Sequence, residues 1–310
     1  MLNWVLVGIG DIATHRVIPA IQAEPRSRLY GVVTRDPAKG AGYGGKVWTD
    51  FAGALQDDAV EAVYIALPVA LHAPLTAAAL AAGKHVLCEK PMALNYDAAS
   101  DMVSAARESK GLLGISYYRR LYPKVRRAAE LIAAGAIGRP VMAFATTHNW
   151  FNAEGGHRAW LLERALAGGG PLYDTACHRI DLFNLLFGQP AAVTAQLSNV
   201  VFPGEVEDAA TVLIEYESGV RGIVDARRHS RVTRDEFRIV GTDGEIDLSP
   251  LNGPDLVYPG GAEELPAHAN LHYPLVENFV SAVLEGSPLA SSGETALPTD
   301  WVIGQAVSAS

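Results

Sequence analysis

Cysteine is nearly missing: Cys88 and Cys177 are the two in 310 residues, too few for a disulfide framework or a thiolate metal centre. Positive charge is in deficit, 25 Lys and Arg against 34 Asp and Glu for a net charge of -9, which excludes a nucleic-acid partner held by phosphate neutralisation. Long hydrophobic runs are absent. The opening 1-MLNWVLVGIGDIA-13 has no basic leader or cleavage pattern, and its apolar run is too short to span a bilayer. There is no low-complexity tract and no internal repeat. The expectation is a soluble, cytoplasmic protein without membrane or nucleic-acid partners. Basic clusters at Arg119, Arg120, Lys124, Arg126, Arg127 and at Arg227, Arg228, Arg231, Arg234 are expected to be mostly solvated faces.

What remains is ordinary globular composition, 49% hydrophobic and 19% charged, in a chain long enough for two domains of about 100 to 200 residues each. In the first third, short Val/Ile/Leu runs (4-WVLV-7, 29-LYGVV-33, 62-AVYIA-66, 86-VLC-88) alternate with helical stretches. That is the pattern of a parallel sheet covered on both faces. The segment 96-YDAASDMVSAARESKG-111 reads as a helix capped by Asn95, and 112-LLGIS-116 as a further strand. Beyond residue 118 longer two-periodic runs take over, at 141–148, 191–200, 210–217, 220–227 and 236–241, with turn signals at Ser218-Gly219 and 242-TDGE-245. Helices are expected at about 123–134, 174–187, 272–285 and from 295. The fold class is therefore α/β: an N-terminal doubly wound domain over 1–118 and a C-terminal α/β domain over 119–310 with a large, mainly antiparallel open sheet.

The stretch 8-GIGDIA-13 has the form G-x-G-x-x-A between a strand and a helix. There Gly8 makes the tight turn, Gly10 lets the backbone approach a pyrophosphate, and Ala13 permits close helix packing, while Asp11 and Ile12 open the helix whose free N–H groups face phosphate. The second strand ends 32-VVTRDP-37. Thr34 stands where an acid would bond the ribose 2′-hydroxyl of NAD, and Arg35 follows, suited to a 2′-phosphate; Asp36 reads as the N-cap of a helix begun by Pro37. The cofactor is NADP or NAD, with Arg35 favouring NADP.

Two further motifs carry chemistry. A strand that should be buried ends in Glu89-Lys90-Pro91, and charges there are costly unless paired or used. Lys90 sits at the carboxyl end of a parallel strand, the edge where such sheets bind ligands, with Pro91 restricting its backbone. It is either an ordinary lysine paired with Glu89 or a positioned catalytic ammonium. In 168-GGGPLYDTACHRIDLFNLLFG-188 a glycine run turns helical and sets Asp174 and His178 at i and i+4, the spacing of a carboxylate that fixes an imidazole for proton transfer. No third ligand for a metal stands at a suitable spacing.

Together, 8-GIGDIA-13, 83-GKHVLCEKP-91, 114-GISYYRRLYP-123 and 170-GPLYDTACH-178 resemble the Gfo/Idh/MocA oxidoreductase family over nearly the whole chain. The resemblance implies a Rossmann domain, a second domain whose open sheet joins subunits into a homodimer or homotetramer, and a pyridine-nucleotide enzyme for sugars or cyclitols. By position it makes Lys90, Asp174 and His178 catalytic. It assigns Gly8, Gly10, Ala13, Pro68 and His72, with Leu67 and Glu89 beside them, to the cofactor, and Tyr118, Arg119 and Arg120 to a stretch near substrate and nicotinamide. His148, Asn149, Trp150, Phe151, His157 and Trp160 become candidates for the substrate wall. Val69 replaces the family's usual Asn, Leu161 stands where relatives often have Arg, and the chain ends at 301-WVIGQAVSAS-310 inside the implied last helix. The expected activity is hydride transfer between nicotinamide and a secondary alcohol or ketone of a sugar, cyclitol or related polyol. The alternatives are an NAD-dependent glycoside-cleaving enzyme of the same fold and a non-catalytic NAD(P) or sugar sensor.

Overall fold

The computed structural model describes residues 1–152 and 158–309. Six parallel strands, β1 (Leu2–Val7), β2 (Ser27–Val33), β3 (Lys46–Trp48), β4 (Ala62–Ile65), β5 (His85–Cys88) and β6 (Leu113–Ile115), form one sheet in the order β3-β2-β1-β4-β5-β6. Their apolar runs are buried on both faces: β4 is buried at every position, as continuous Val/Ile runs in a helix-covered sheet require. The strand order reverses between β1 and β4, which makes the carboxyl ends of those strands the crevice for a ligand.

The second sheet has eight strands in the order β14-β13-β12-β11-β7-β10-β9-β8. They are β7 (Pro140–Trp150), β8 (Pro190–Ser198), β9 (Ala209–Tyr216), β10 (Arg221–Arg227), β11 (His229–Gly241), β12 (Glu245–Asp247), β13 (Asp255–Tyr258) and β14 (Gly261–Glu264). All pairings are antiparallel except β7 with β10. The last three strands are too short and too polar to show a two-residue period, and sequence patterning misses them. One face of this sheet, including Ala143, Ala145, Gly222, Val224 and Phe237, packs against the helix Cys177–Phe187, whose Phe183 ring lies 5.1 Å from that of Phe237. The other face carries Phe144, Thr146, His148, Ile223, Asp225 and Arg227 and is half-buried.

The chain forms two compact units, 1–118 with 268–297, and 119–267 with 298–310. The segment 268–297 thus groups with the first sheet rather than with a continuous 119–310 domain. The cause is packing: Phe279 of the helix Tyr273–Glu285 sits 5.1 Å from Trp4, Arg26 bonds Ser281 and Glu285, and the Ile115 N–H donates to Ser291. Among the described residues no helix is long and apolar enough to cross a membrane.

The basic clusters are not solvated throughout. Lys124 is 1% exposed and its ammonium donates to the carbonyls of Leu248, Pro250 and Asp255; burial pushes its pKa down to about 8, which leaves it charged at neutral pH. Arg120 forms a buried two-point ion pair with Asp181 at 2.9 and 2.5 Å. Arg119 bonds the Asn252 amide oxygen, and Arg228 is buried. A long basic side chain goes inside where carbonyls or a carboxylate meet it, a condition that charge counting does not detect.

Candidate active site

The glycine loop is shaped by two different demands. Gly8 has φ of +93°, and a Cβ there would lie 2.6 Å from the Ala66 carbonyl oxygen and 2.7 Å from Leu67 Cδ2. At Gly10 nothing lies within 4 Å of the same position. Helical backbone begins at Asp11, passes through a wide π turn over Ala13–Val17 and continues to Ala23, with Ala13 fully buried and Ile12 44% exposed. The loop is therefore tight against β4 on one side and open on the other, above a helix start whose first N–H groups lack intrahelical acceptors. That is a fit for a pyrophosphate.

The strand registers Val7↔Val33, Val7↔Ile65 and Ile65↔Cys88 bring Gly8, Thr34, Ala66 and Glu89 into one row along the carboxyl edge. At the end of β2, Asp36 accepts from the Ala38 and Lys39 N–H groups and caps the helix Pro37–Ala41. Thr34 Oγ1 accepts from the Asp36 N–H. Arg35 is exposed, with no hydrogen bond or ion pair to the described residues. The end of β2 thus offers a cation, while the nearest carboxylate serves as a cap.

His72 is 1% exposed and spans the edge beneath the surface: its Nδ1 is 2.9 Å from the Pro91 carbonyl and its Nε2 2.9 Å from the Leu67 carbonyl. It ties the chain after β4, including Pro68, to the Lys90-Pro91 turn, and so bears on the site from below. The paired charge that ends β5 also has a defined setting. Glu89 accepts from Tyr64 at 2.7 Å and faces His272 Nε2 at 3.3 Å. Burial would raise its pKa, but the hydrogen bonds from His272 and Tyr64, with the charges of His272 and Lys90, bring it down to about 2. His272 packs against the Tyr118 ring at 4.7 Å. Glu89 is thus held ionised by inward partners, and Lys90, half-buried, stands next to it at the edge.

In the second unit, the segment after Gly168-Gly169-Gly170 enters a π turn, Leu172–Ala176, that runs directly into the helix Cys177–Phe187. π turns inserted in helices recur at functional sites; here one carries Asp174 and leads into buried His178, 4% exposed. Gly170 is required by close approach, since a Cβ would fall 1.8 Å from the Glu207 carbonyl oxygen. Asp174 and Thr175 line a cavity of about 180 Å³ together with Asn149, Trp150, Phe151, Arg158, Pro171 and Arg228.

The cavity includes three of the aromatic and polar wall candidates and omits others. His148 bonds Asp225 at 2.6 Å, in a cluster with Arg227 and Thr211, on the sheet face opposite the helix bearing His178. Strand alternation sends its side chain there. Trp160 lies in the turn Ala159–Leu162 and does not line the cavity, and His157 lies outside the described residues. Arg158 and Arg228 are the cavity residues that sequence patterning missed. The signal for Arg228 was parity: the buried row Gly222, Val224, Ala226 of β10 extends by one step to it, whereas Asp225 and Arg227 belong to the other face. Among the described residues, no group of three or more His, Cys, Asp or Glu could hold a metal.

Comparison with known proteins places this geometry. Residues 2–117 match the model of the oxidoreductase family with NAD-binding Rossmann fold, and residues 125–247 match the GFO/IDH/MocA C-terminal domain. The chain is 31% identical to 1,5-anhydro-D-fructose reductase of Ensifer adhaerens, over 95% of this chain and 92% of that one. It is 29% identical to D-xylose 1-dehydrogenase (NADP(+)) 2 of Haloferax volcanii, over 84% and 78%. The crystal structure of aldose-aldose oxidoreductase from Caulobacter crescentus complexed with glycerol superposes with a TM-score of 0.89 at 27% identity, covering 99% of this chain and 97% of that one. A parallel sheet of Rossmann order, a glycine loop at its crevice and a large mixed sheet behind a π-turned helix are joined here in one chain, which belongs to the Gfo/Idh/MocA family of NAD-binding oxidoreductases.

Proposed function

We propose that this enzyme is a dehydrogenase or reductase for the secondary alcohol or ketone of a sugar or related polyol, using NADP in preference to NAD. The bound nicotinamide supplies or accepts the hydride. The chain does the rest: Gly8, Gly10 and the helix start at Asp11, Ile12 and Ala13 hold the pyrophosphate, Thr34 and Arg35 meet the ribose end, and Leu67, Pro68 and His72 shape the edge between β4 and the Lys90 turn. His178, oriented by Asp174, takes the hydroxyl proton on oxidation and returns it on reduction. Lys90 bonds the substrate oxygen and stabilises its developing negative charge, while Glu89, held ionised by Tyr64 and His272, fixes the charge beside it.

The observation that carries this reading is the π turn with Asp174 in a cavity wall, leading into buried His178. The names of the relatives support the substrate class, and the exposed Arg35 supports NADP. Subunits are proposed to pair, as dimer or tetramer, through the half-buried open face of the second sheet, where Phe144 and Ile223 lie. The buried cysteines Cys88 and Cys177, too few for a disulfide framework, suit the reducing cytoplasm.

Lys90→Met and His178→Asn test the assignment. General acid–base assistance is worth about 10² to 10⁴ in rate, so each variant should lose turnover on that scale in a stopped-flow assay of reduced cofactor, while cofactor affinity changes little. Unchanged turnover in both variants overturns it.

A further inference from the structure

The charge of the cavity in the second unit is not explained by proton transfer. Arg228 is 4% exposed. Its Nη1 donates to the Leu161 carbonyl at 3.3 Å, and its Nη2 is buried with no hydrogen-bond partner among the described residues. The backbone cannot move to release the side chain, because the Phe151 N–H donates to the Arg228 carbonyl at 2.7 Å and the Arg228 N–H donates to the Asp208 carbonyl at 2.9 Å. A second guanidinium is brought to the same place. Arg158 lies 5.1 Å and Arg228 4.8 Å from the centroid of the Phe151 ring. Burial holds the pKa of Arg228 below the ordinary arginine value, with Asp174 and Glu207 pulling the other way and Arg158 adding to the fall.

The neighbouring carboxylates are spent elsewhere. Glu207 accepts from the Leu172 N–H at 3.0 Å, and Asp208 accepts from the N–H groups of Val200, Val201 and Phe202 and faces His229 at 3.0 Å. Among the described residues of the cavity wall the one carboxylate is Asp174, which the proposed reaction assigns to His178. Among the described residues, two cations, buried Arg228 and exposed Arg158, thus face one carboxylate, leaving a single positive charge, and at the buried guanidinium a charge-assisted bond is strongest.

We propose that this cavity receives a carboxylate carried by the substrate, so that the enzyme acts by preference on a sugar acid, gripped by Arg158 and Arg228. The inference rests on the dehydrogenase reading above and specifies its substrate class. One surplus charge matches a monoanion better than a phosphate dianion, and a planar guanidinium matches a carboxylate at two points.

The test compares D-glucuronate and D-galacturonate with D-glucose and D-galactose, by calorimetric binding to the cofactor-loaded enzyme and by the initial rate of cofactor reduction. Arg158→Gln, at an exposed position, and Arg228→Gln are the variants; the first keeps the test sound if the second fails to fold. The uronates should bind more tightly than the neutral sugars, and Arg158→Gln should lower the uronate-to-neutral ratio of kcat/KM by about 10- to 100-fold, the scale of one hydrogen bond to a charged group. Neutral sugars bound and oxidised as well as the uronates, with a ratio unmoved by Arg158→Gln, would overturn the carboxylate site and leave the dehydrogenase standing. If no sugar of either kind binds or reacts while the reduced cofactor binds, both fall.

Discussion

Two glycines of one motif should respond in opposite ways to the same substitution. At Gly8, alanine must adopt φ of +93° and place its Cβ 2.6 Å from the Ala66 carbonyl oxygen. The unusual backbone conformation costs about 1–2 kcal/mol and the overlap with backbone about 1–3 kcal/mol more, so Gly8→Ala should destabilise the first unit by about 2–5 kcal/mol. At Gly10 the added methyl meets nothing within 4 Å and φ is not positive. Gly10→Ala should therefore keep wild-type stability, or gain about 0.4–1 kcal/mol from the restricted unfolded chain, yet lose cofactor affinity by tenfold or more, on the order of 1.4 kcal/mol, because the open side is where the pyrophosphate is proposed to come against backbone. Urea unfolding followed by tryptophan fluorescence measures the first effect, since Trp4 and Trp48 lie in that sheet; titration of reduced cofactor measures the second. A Gly8 variant with the wild-type midpoint would refute the close-approach argument. A Gly10 variant that binds cofactor normally would refute the placement of the pyrophosphate.

Two other outcomes follow from the same edge. Arg35→Ala should weaken NADPH by about tenfold, the loss of one exposed charge-assisted contact to phosphate, and leave NADH nearly unchanged; equal loss for both, or a wild-type preference for NADH, removes Arg35 from the 2′-phosphate. Glu89, lowered from 4.5 to about 2, contributes stability that is fully present above pH 4.5 and is lost as the pH falls through 2. At 1.36 kcal/mol per pH step the contribution is about 3 kcal/mol. Glu89→Gln should flatten the urea midpoint between pH 5 and pH 3 relative to wild type, and parallel profiles would show that Tyr64 and His272 do not hold the carboxylate.

Local pattern determined much of this protein. Continuous apolar runs between helices specified a parallel sheet, two-periodic runs specified an antiparallel one, and capping chemistry located Asn95 and Asp36 at helix starts, because each depends on residues within a few positions of one another. The glycine loop was legible for the same reason. What the sequence could not determine was decided by contacts distant along the chain. Residues 268–297 joined the first unit through Trp4 and Arg26, and Glu89 found its partners in Tyr64 and His272, 25 and 183 positions away. His148 and Arg228, both polar and both near strand ends, were sorted to opposite faces by a one-residue difference in strand parity. A sheet fixes which side a residue faces, and only the helix packed on one side decides whether that face is a cavity wall or an open surface.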